Sequence, residues 1–147
     1  MKHLQNLMLI FVFLFSTLIA AQNNNLKTIY AEGLMDGKMK VTMFGYTYIN
    51  ECTGEKNYMM MYKYDDLSNW LLLDVTSDEK NNLSLVEYYF TGLMILNETS
   101  KGFHGIWISP DAKRQLKVNF EKKKITETKK QELSEKLDNL NYEYNDC

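Results

Sequence analysis

The sequence has very little of the residue types that bind metals or perform nucleophilic catalysis. It contains two cysteines, Cys52 and Cys147, and two histidines, His3 and His104. Neither cysteine belongs to a CxxC or CxxxH spacing, and a lone histidine lacks the partners that a metal site or an activated nucleophile needs. We therefore expect no metal, no cofactor and no catalytic residue.

An excess of basic charge is also absent. The formal net charge is −2 for the whole sequence, and it becomes −3 if Lys2 is removed with an N-terminal signal. Nucleic acids and anionic membrane surfaces require a basic face on the protein that binds them. The charge balance therefore argues against both classes of partner.

The first 21 residues have the order of segments that is typical of a secretory signal peptide. Lys2 precedes an apolar run over residues 7–19, and small residues end the segment at Ala21. The run is shorter than the ~20 residues that span a bilayer, so a transmembrane anchor is the weaker interpretation. We predict a signal peptide over 1–21, a flexible leader over 22–25, and an exported protein, periplasmic or secreted, with no stable membrane anchor after cleavage.

In an oxidising compartment the two cysteines have two possible fates. A Cys52–Cys147 disulfide would close a long loop and contribute up to ~4–5 kcal/mol in the chain-entropy model. The alternative is a terminal Cys147 that is too mobile to pair, or that crosslinks two chains. Because sequence gives no distance between the two residues, both possibilities stay open.

Residues 26–121 have the pattern of a β domain. Short runs rich in β-branched and aromatic residues alternate with turn signals roughly every ten residues. Asp36-Gly37 suits a hairpin turn, and Pro110 presets the backbone of a second turn. We predict a mainly β fold, an antiparallel up-and-down meander of about eight strands that forms a small barrel or a curved sheet.

Alternation along these runs predicts which side chains face the core. In the run over 57–64 the even positions, all tyrosine or methionine, share one face, yet the opposite face carries Met59 and Met61. A strand that is apolar on both faces lies in the middle of the sheet or is covered by another element. We interpret the run over 83–90 as a single strand that directs Glu87 inward.

At residues 126–141 the sequence period changes to that of an amphipathic helix. Thr128 and Gln131 resemble a capping box, and charged residues fill the polar faces. We predict a C-terminal helix that docks on the sheet and covers its second apolar face, the alternative being a solvated tail. The apolar stripe of this helix consists of Leu133, Leu137 and Leu140.

Five short elements follow one another along the predicted strands. They are Gly37-Lys38 with Val41-Thr42-Met43, Tyr62-Lys63-Tyr64, Leu71-Leu72-Leu73, Leu83-Ser84-Leu85-Val86-Glu87 and Gly105-Ile106-Trp107. In this order they resemble the GK-x-x-(I/V)-x-M, G-x-Y-x-Y, I-x-L-x-G, L-x-L-x-E and G-x-W pattern of a set of poorly characterised secreted bacterial β-meander proteins. The resemblance omits the helix, and it implies a barrel-like fold without implying a reaction.

The candidate binding residues are aromatic or acidic. Glu87 shares strand parity with two leucines, so it points inward, where an unpaired carboxylate is costly. It is either a ligand contact or an end-of-strand residue that reaches solvent or pairs with a lysine. Aromatic rings with polar tips suit a sugar, a peptide or an apolar molecule, although the same rings also fill a small barrel. The predicted ligand-binding residues are Glu87, Tyr62, Tyr64, Tyr88 and Trp70.

These observations predict an exported, non-catalytic binding domain for a small ligand or a protein, in the cell envelope or outside the cell. The alternative is an envelope interaction or inhibitor protein that acts through loops, a strand edge or the terminal helix. We expect no enzyme, since a hydrolase would need His104 and Glu87 to converge. A ligand binder would need a concave aromatic pocket at Glu87 or Tyr62.

Overall fold

A computed structural model describes residues 26–78 and 80–145, and these form an antiparallel barrel with one helix. In chain order the elements are β1 Lys27–Met35, β2 Met39–Ile49, β3 Lys56–Tyr64, β4 Leu71–Ser77, β5 Asn82–Glu87, β6 Leu93–Glu98, β7 Gly102–Ile108, β8 Gln115–Lys122 and the helix α1 Glu127–Asn145. The predicted signal peptide and leader, 1–25, lie outside the described residues. Within the described part of the chain, no helix is long and apolar enough to cross a membrane.

The predicted meander is confirmed, and it closes. Each strand pairs with the next, and β1 pairs with β8 from Ala31 opposite Lys122 to Met35 opposite Val118. The β1–β2 hairpin turns at Asp36 and Gly37, which have φ angles of 55° and 70°. Aspartate and glycine tolerate this left-handed backbone, so the dipeptide fixes the hairpin register as its sequence predicts. Closure leaves no free outer strand at which the meander ends.

The barrel interior holds a core of buried, mostly apolar side chains. The even positions of β3 face inward as predicted, and the inward face of β8 contributes Val118 and Phe120. Trp107 on β7 is buried in the same core, in agreement with its alternation with Phe103. The fully enclosed interior methionines are Met35, Met43, Met60 and Met94.

The helix covers part of the barrel's outer surface, as predicted. Its three stripe leucines are buried against Phe44 of β2, Met61 of β3 and Leu72 of β4. Each buried leucine stabilises this contact by about 1.5–3 kcal/mol. The second apolar face of β3 is therefore buried by α1.

The ends of the helix differ from the sequence prediction. The Thr126 hydroxyl accepts the backbone N–H of Lys129 at 3.3 Å, so Thr126 is the cap and Thr128 lies inside the first turn. The helix also continues to Asn145, four residues past the predicted end at 141. This extra turn brings the C-terminal end of α1 beside the end of β5.

Candidate functional site

Glu87 lies inside the barrel and is only 4% exposed. The hydrogen-bond donors to its carboxylate are other side chains of the protein. Its Oε1 accepts hydrogen bonds from the Tyr62 hydroxyl and, at 2.7 Å, from the Trp107 indole N–H. Its Oε2 accepts the Thr91 hydroxyl at 2.7 Å. Burial, together with the neighbouring carboxylate, raises the pKa of Tyr62 well above its ordinary value, so the phenol remains a donor. This arrangement ties β3, β5 and β7 together.

Gly92 makes this contact possible. Its backbone carbonyl accepts the N–H of Glu87 at 2.9 Å, which brings the chain back past the carboxylate. A Cβ atom at this position would overlap both the Glu87 carboxylate and the Trp107 indole nitrogen. Glycine is therefore required here by close approach rather than by an unusual φ angle.

The five predicted ligand-binding residues do not share one cavity. Glu87 and Tyr62 are in contact, and the Tyr64 hydroxyl lies 3.5 Å from that of Tyr62. Trp70 instead packs in the outer cluster beneath α1, and Tyr88 lies on the outer surface beyond the end of β5. Tyr62 and Tyr64 thus lie in the interior and Trp70 lies outside it, whereas the adjacent residues Glu87 and Tyr88 both line one groove on the outside of the barrel.

The other residues considered from the sequence are also placed. His104 is exposed on β7, whereas Glu87 is buried inside the barrel with Tyr62, Trp107 and Thr91 as partners. Cys52 is exposed in the β2–β3 loop, while Cys147 lies outside the described residues. Whether Cys52 pairs with Cys147 therefore stays open.

The chain turns sharply after Glu87, so interpreting 83–90 as one strand is wrong. Residues Tyr88–Phe90 form a tight turn in which Tyr89 and Phe90 have φ angles of 64° and 55°. Left-handed backbone is unfavourable for bulky side chains. Both rings nevertheless face solvent, with 81% of Tyr89 and 54% of Phe90 exposed. Two successive exposed aromatic residues in this conformation are unusual.

This turn forms one wall of a groove of about 730 Å³ on the outside of the barrel, here called the aromatic groove. The last turns of α1 form the opposite wall, and the Tyr88 hydroxyl donates to the Tyr144 carbonyl at 2.8 Å across the end of the groove. The rings of Tyr88 and Tyr144 are 4.3 Å apart between centroids. Residues that line the groove include Tyr48, Asn57, Met59, Asp74, Tyr88, Tyr89, Phe90, Asn141 and Asn145.

The floor of the aromatic groove is a break in the barrel wall. Strands β3 and β4 have nine and seven residues, yet they pair only from Met60 opposite Leu73 to Tyr62 opposite Leu71. Segments 56–59 and 74–77 continue beyond this ladder. They keep their pairing with β2 and β5 on their other sides. Main-chain groups that point into the break therefore lack the regular ladder partners found elsewhere in the barrel.

A second polar cluster lies at the end of the barrel away from Glu87. Lys122 and Lys56 each donate to a different oxygen of Glu98 at 2.8 Å, and the Tyr58 hydroxyl donates at the same distance. Burial raises the pKa of Glu98, but the hydrogen bonds from Lys122, Lys56 and Tyr58 outweigh it and lower the pKa to about 2. The carboxylate holds β3, β6 and β8 together.

This cluster predicts a specific acid sensitivity. Since the folded-state pKa of Glu98 lies below the ordinary value of 4.5, its stabilisation is complete above pH 4.5 and disappears as the pH falls toward about 2. Glu98→Gln should lower the free energy of unfolding by about 1–2 kcal/mol at pH 7, since both lysines are partly in solvent. Urea denaturation at several pH values should show a weaker pH dependence for the variant. Glu121→Gln, at an exposed pair, is the control, and equal pH profiles for Glu98→Gln and wild type would contradict the assignment.

Sequence reasoning missed the aromatic groove because its parts are distant in sequence. One local signal was available: Tyr88, Tyr89 and Phe90 are consecutive aromatic residues, and alternation cannot place all three in a core. The contribution of Asn141 and Asn145 had no such signal, because they lie outside the apolar stripe.

Comparison of the chain with protein-family models, with curated proteins and with solved structures found no match. The resemblance to secreted β-meander proteins therefore stays a prediction, and the function has to be argued from the geometry.

Proposed function

We propose that this protein is an exported, non-catalytic binding domain whose binding site is the aromatic groove rather than the barrel interior. The observation that carries the proposal is the turn at Tyr88–Phe90, where two large aromatic side chains combine a left-handed backbone with high solvent exposure. Each feature costs free energy in the unbound protein. A ligand that covers the rings would recover the hydrophobic part of this cost.

The shape and chemistry of the groove support the same proposal. Its volume of about 730 Å³ lies in the range of small-molecule and peptide sites, and its lining mixes aromatic faces with a few polar groups. Interior residues are less suitable, because the oxygens of Glu87 already accept three hydrogen bonds and Trp107 packs within a cluster of buried side chains. A role as an envelope interaction protein, the second hypothesis, would use this same surface.

Replacing Tyr89 separates binding from folding. Tyr89→Gly relieves the left-handed strain, so we expect the free energy of unfolding to stay equal or rise by up to about 1 kcal/mol. The same change removes an exposed ring from the groove wall, so ligands should no longer stabilise the protein. A thermal-shift screen of sugars, peptides and apolar compounds on both proteins measures this effect.

Two further variants control this experiment. Tyr142→Ala removes a ring that is 65% exposed on α1 but does not line the groove, and it should keep every wild-type thermal shift. Tyr89→Asn keeps a residue that tolerates the turn while it removes the ring, so it should behave like Tyr89→Gly. Compounds that stabilise wild type and both Tyr89 variants equally would show that the groove is not the site.

A further inference from the structure

We propose that the occupant of the aromatic groove is an extended peptide segment that places a lysine or arginine side chain beside Asp74. This inference rests on the proposed function, since it names the class of ligand for the same site. Three features of the groove lead to it: the sign of its charge, its exposed ring faces, and the unpaired main chain along its floor.

The charge of the groove is negative. Asp74 is exposed there and has no ion-pair partner among the described residues. The other charged lining residue, Glu87, uses its carboxylate within the barrel, and no described lysine, arginine or histidine lines the groove. The lining therefore favours a ligand group with a positive charge over one with a negative charge.

The end of the helix adds to this potential. Asn141 and Asn145, in the last turns of α1, line the groove, and the final turn contains no basic residue. The C-terminal end of a helix carries a partial negative charge of about half an electron. The C-terminal end of α1 and Asp74 therefore both attract a cation that lies between them.

The ring faces suit the same ligand group. Tyr48, Tyr89 and Phe90 line the groove and are all exposed. A lysine ammonium or arginine guanidinium over such faces gains about 0.5–1 kcal/mol at an exposed site and more when desolvated. Anionic ligands would meet the same faces unfavourably, which adds to the selectivity for a cation.

The floor favours a polypeptide over a free amine. Segments 57–59 and 74–75 line the groove beyond the end of the β3–β4 ladder. Their main-chain donors and acceptors can pair with an extended segment, as in strand addition to an exposed sheet edge. In an extended peptide, alternate side chains point the same way, so one basic residue can reach Asp74 while its main chain follows the break.

An NMR titration tests the proposal. The probe is the peptide acetyl-Thr-Val-Lys-Val-Thr-amide, added to uniformly ¹⁵N-labelled protein. We expect saturable shifts at residues 57–59, 74–75 and 88–90. A matched peptide with norleucine in place of lysine should bind about twofold to fivefold more weakly, the range that one exposed cation contact gives. Asp74→Asn should weaken the lysine peptide to the same degree and leave the norleucine peptide unchanged, whereas Asp66→Asn, in the exposed β3–β4 turn, should change neither.

Each contrary result identifies which claim is wrong. Equal binding of the lysine and norleucine peptides would show that the groove does not select a cationic side chain. Butylammonium, a free amine with no peptide main chain, is the further control. Its binding as tightly as the lysine peptide would show that the main chain contributes nothing. Absence of saturable shifts with the lysine peptide would overturn the whole proposal. The binding-domain proposal is judged separately, since it stands if screened compounds stabilise wild type but not Tyr89→Gly, and fails if they stabilise both equally.

Discussion

Replacing Glu87 with alanine is expected to lower the free energy of unfolding by about 3–5 kcal/mol, because it removes the acceptor of several buried donors at once. The Trp107 indole N–H and the Tyr62 hydroxyl would remain inside the barrel with no carboxylate to accept them. From sequence, Glu87 is a candidate ligand contact, the alternative being an end-of-strand residue that reaches solvent or pairs with a lysine. The geometry instead predicts that the loss of stability dominates.

A conservative substitution distinguishes the loss of the buried hydrogen bonds from the loss of side-chain volume. Glu87→Gln keeps an oxygen for Tyr62 and Trp107 and places its amide near the Thr91 hydroxyl, which can accept as well as donate. It should therefore lose less than half as much stability as the alanine variant. Urea denaturation followed by tryptophan fluorescence measures both. An alanine variant as stable as the glutamine variant would contradict the role of this cluster.

Leu137→Ala is expected to cost about 2–5 kcal/mol, the range for truncating a fully buried leucine. Leu137 is 0% exposed at the centre of the contact between α1 and the outer face of the barrel. Its loss weakens the cover over Phe44 and Met61, so thermal unfolding should begin at the helix. Leu67→Ala, at an exposed leucine in the β3–β4 turn, is the matched control and should change stability by less than about 0.5 kcal/mol. A similar effect of both substitutions would contradict the docking of α1.

Most of the barrel could be predicted from the sequence because its signals are local. Alternation in β3 and β8, the Asp36-Gly37 turn and the leucine stripe of α1 each depend on a few neighbouring residues, and the structure agrees with all of them. The inward direction of Glu87 also follows from strand parity alone.

The site could not be predicted, because it depends on contacts between distant residues. Tyr89 and Phe90 have high β propensity, so the local sequence favours continuing β5, whereas the return of Gly92 past Glu87 imposes a turn. The hydrogen-bond partners of Glu87 lie on three different parts of the chain, and no spacing in the sequence predicts that they meet. The break between β3 and β4 likewise depends on where the pairing of these two strands ends, which no local sequence signal predicts.

The central claim is that ligands bind outside the barrel, and methionine methyl groups report on it most directly. Met59 lines the aromatic groove, whereas Met35, Met43, Met60 and Met94 are fully buried in the interior. In protein labelled with [methyl-¹³C]methionine, every screened compound that stabilises the wild type should shift the Met59 signal and leave the four interior signals in place. Shifts of the interior methyls with an unchanged Met59 signal would place the ligand inside the barrel and contradict the account.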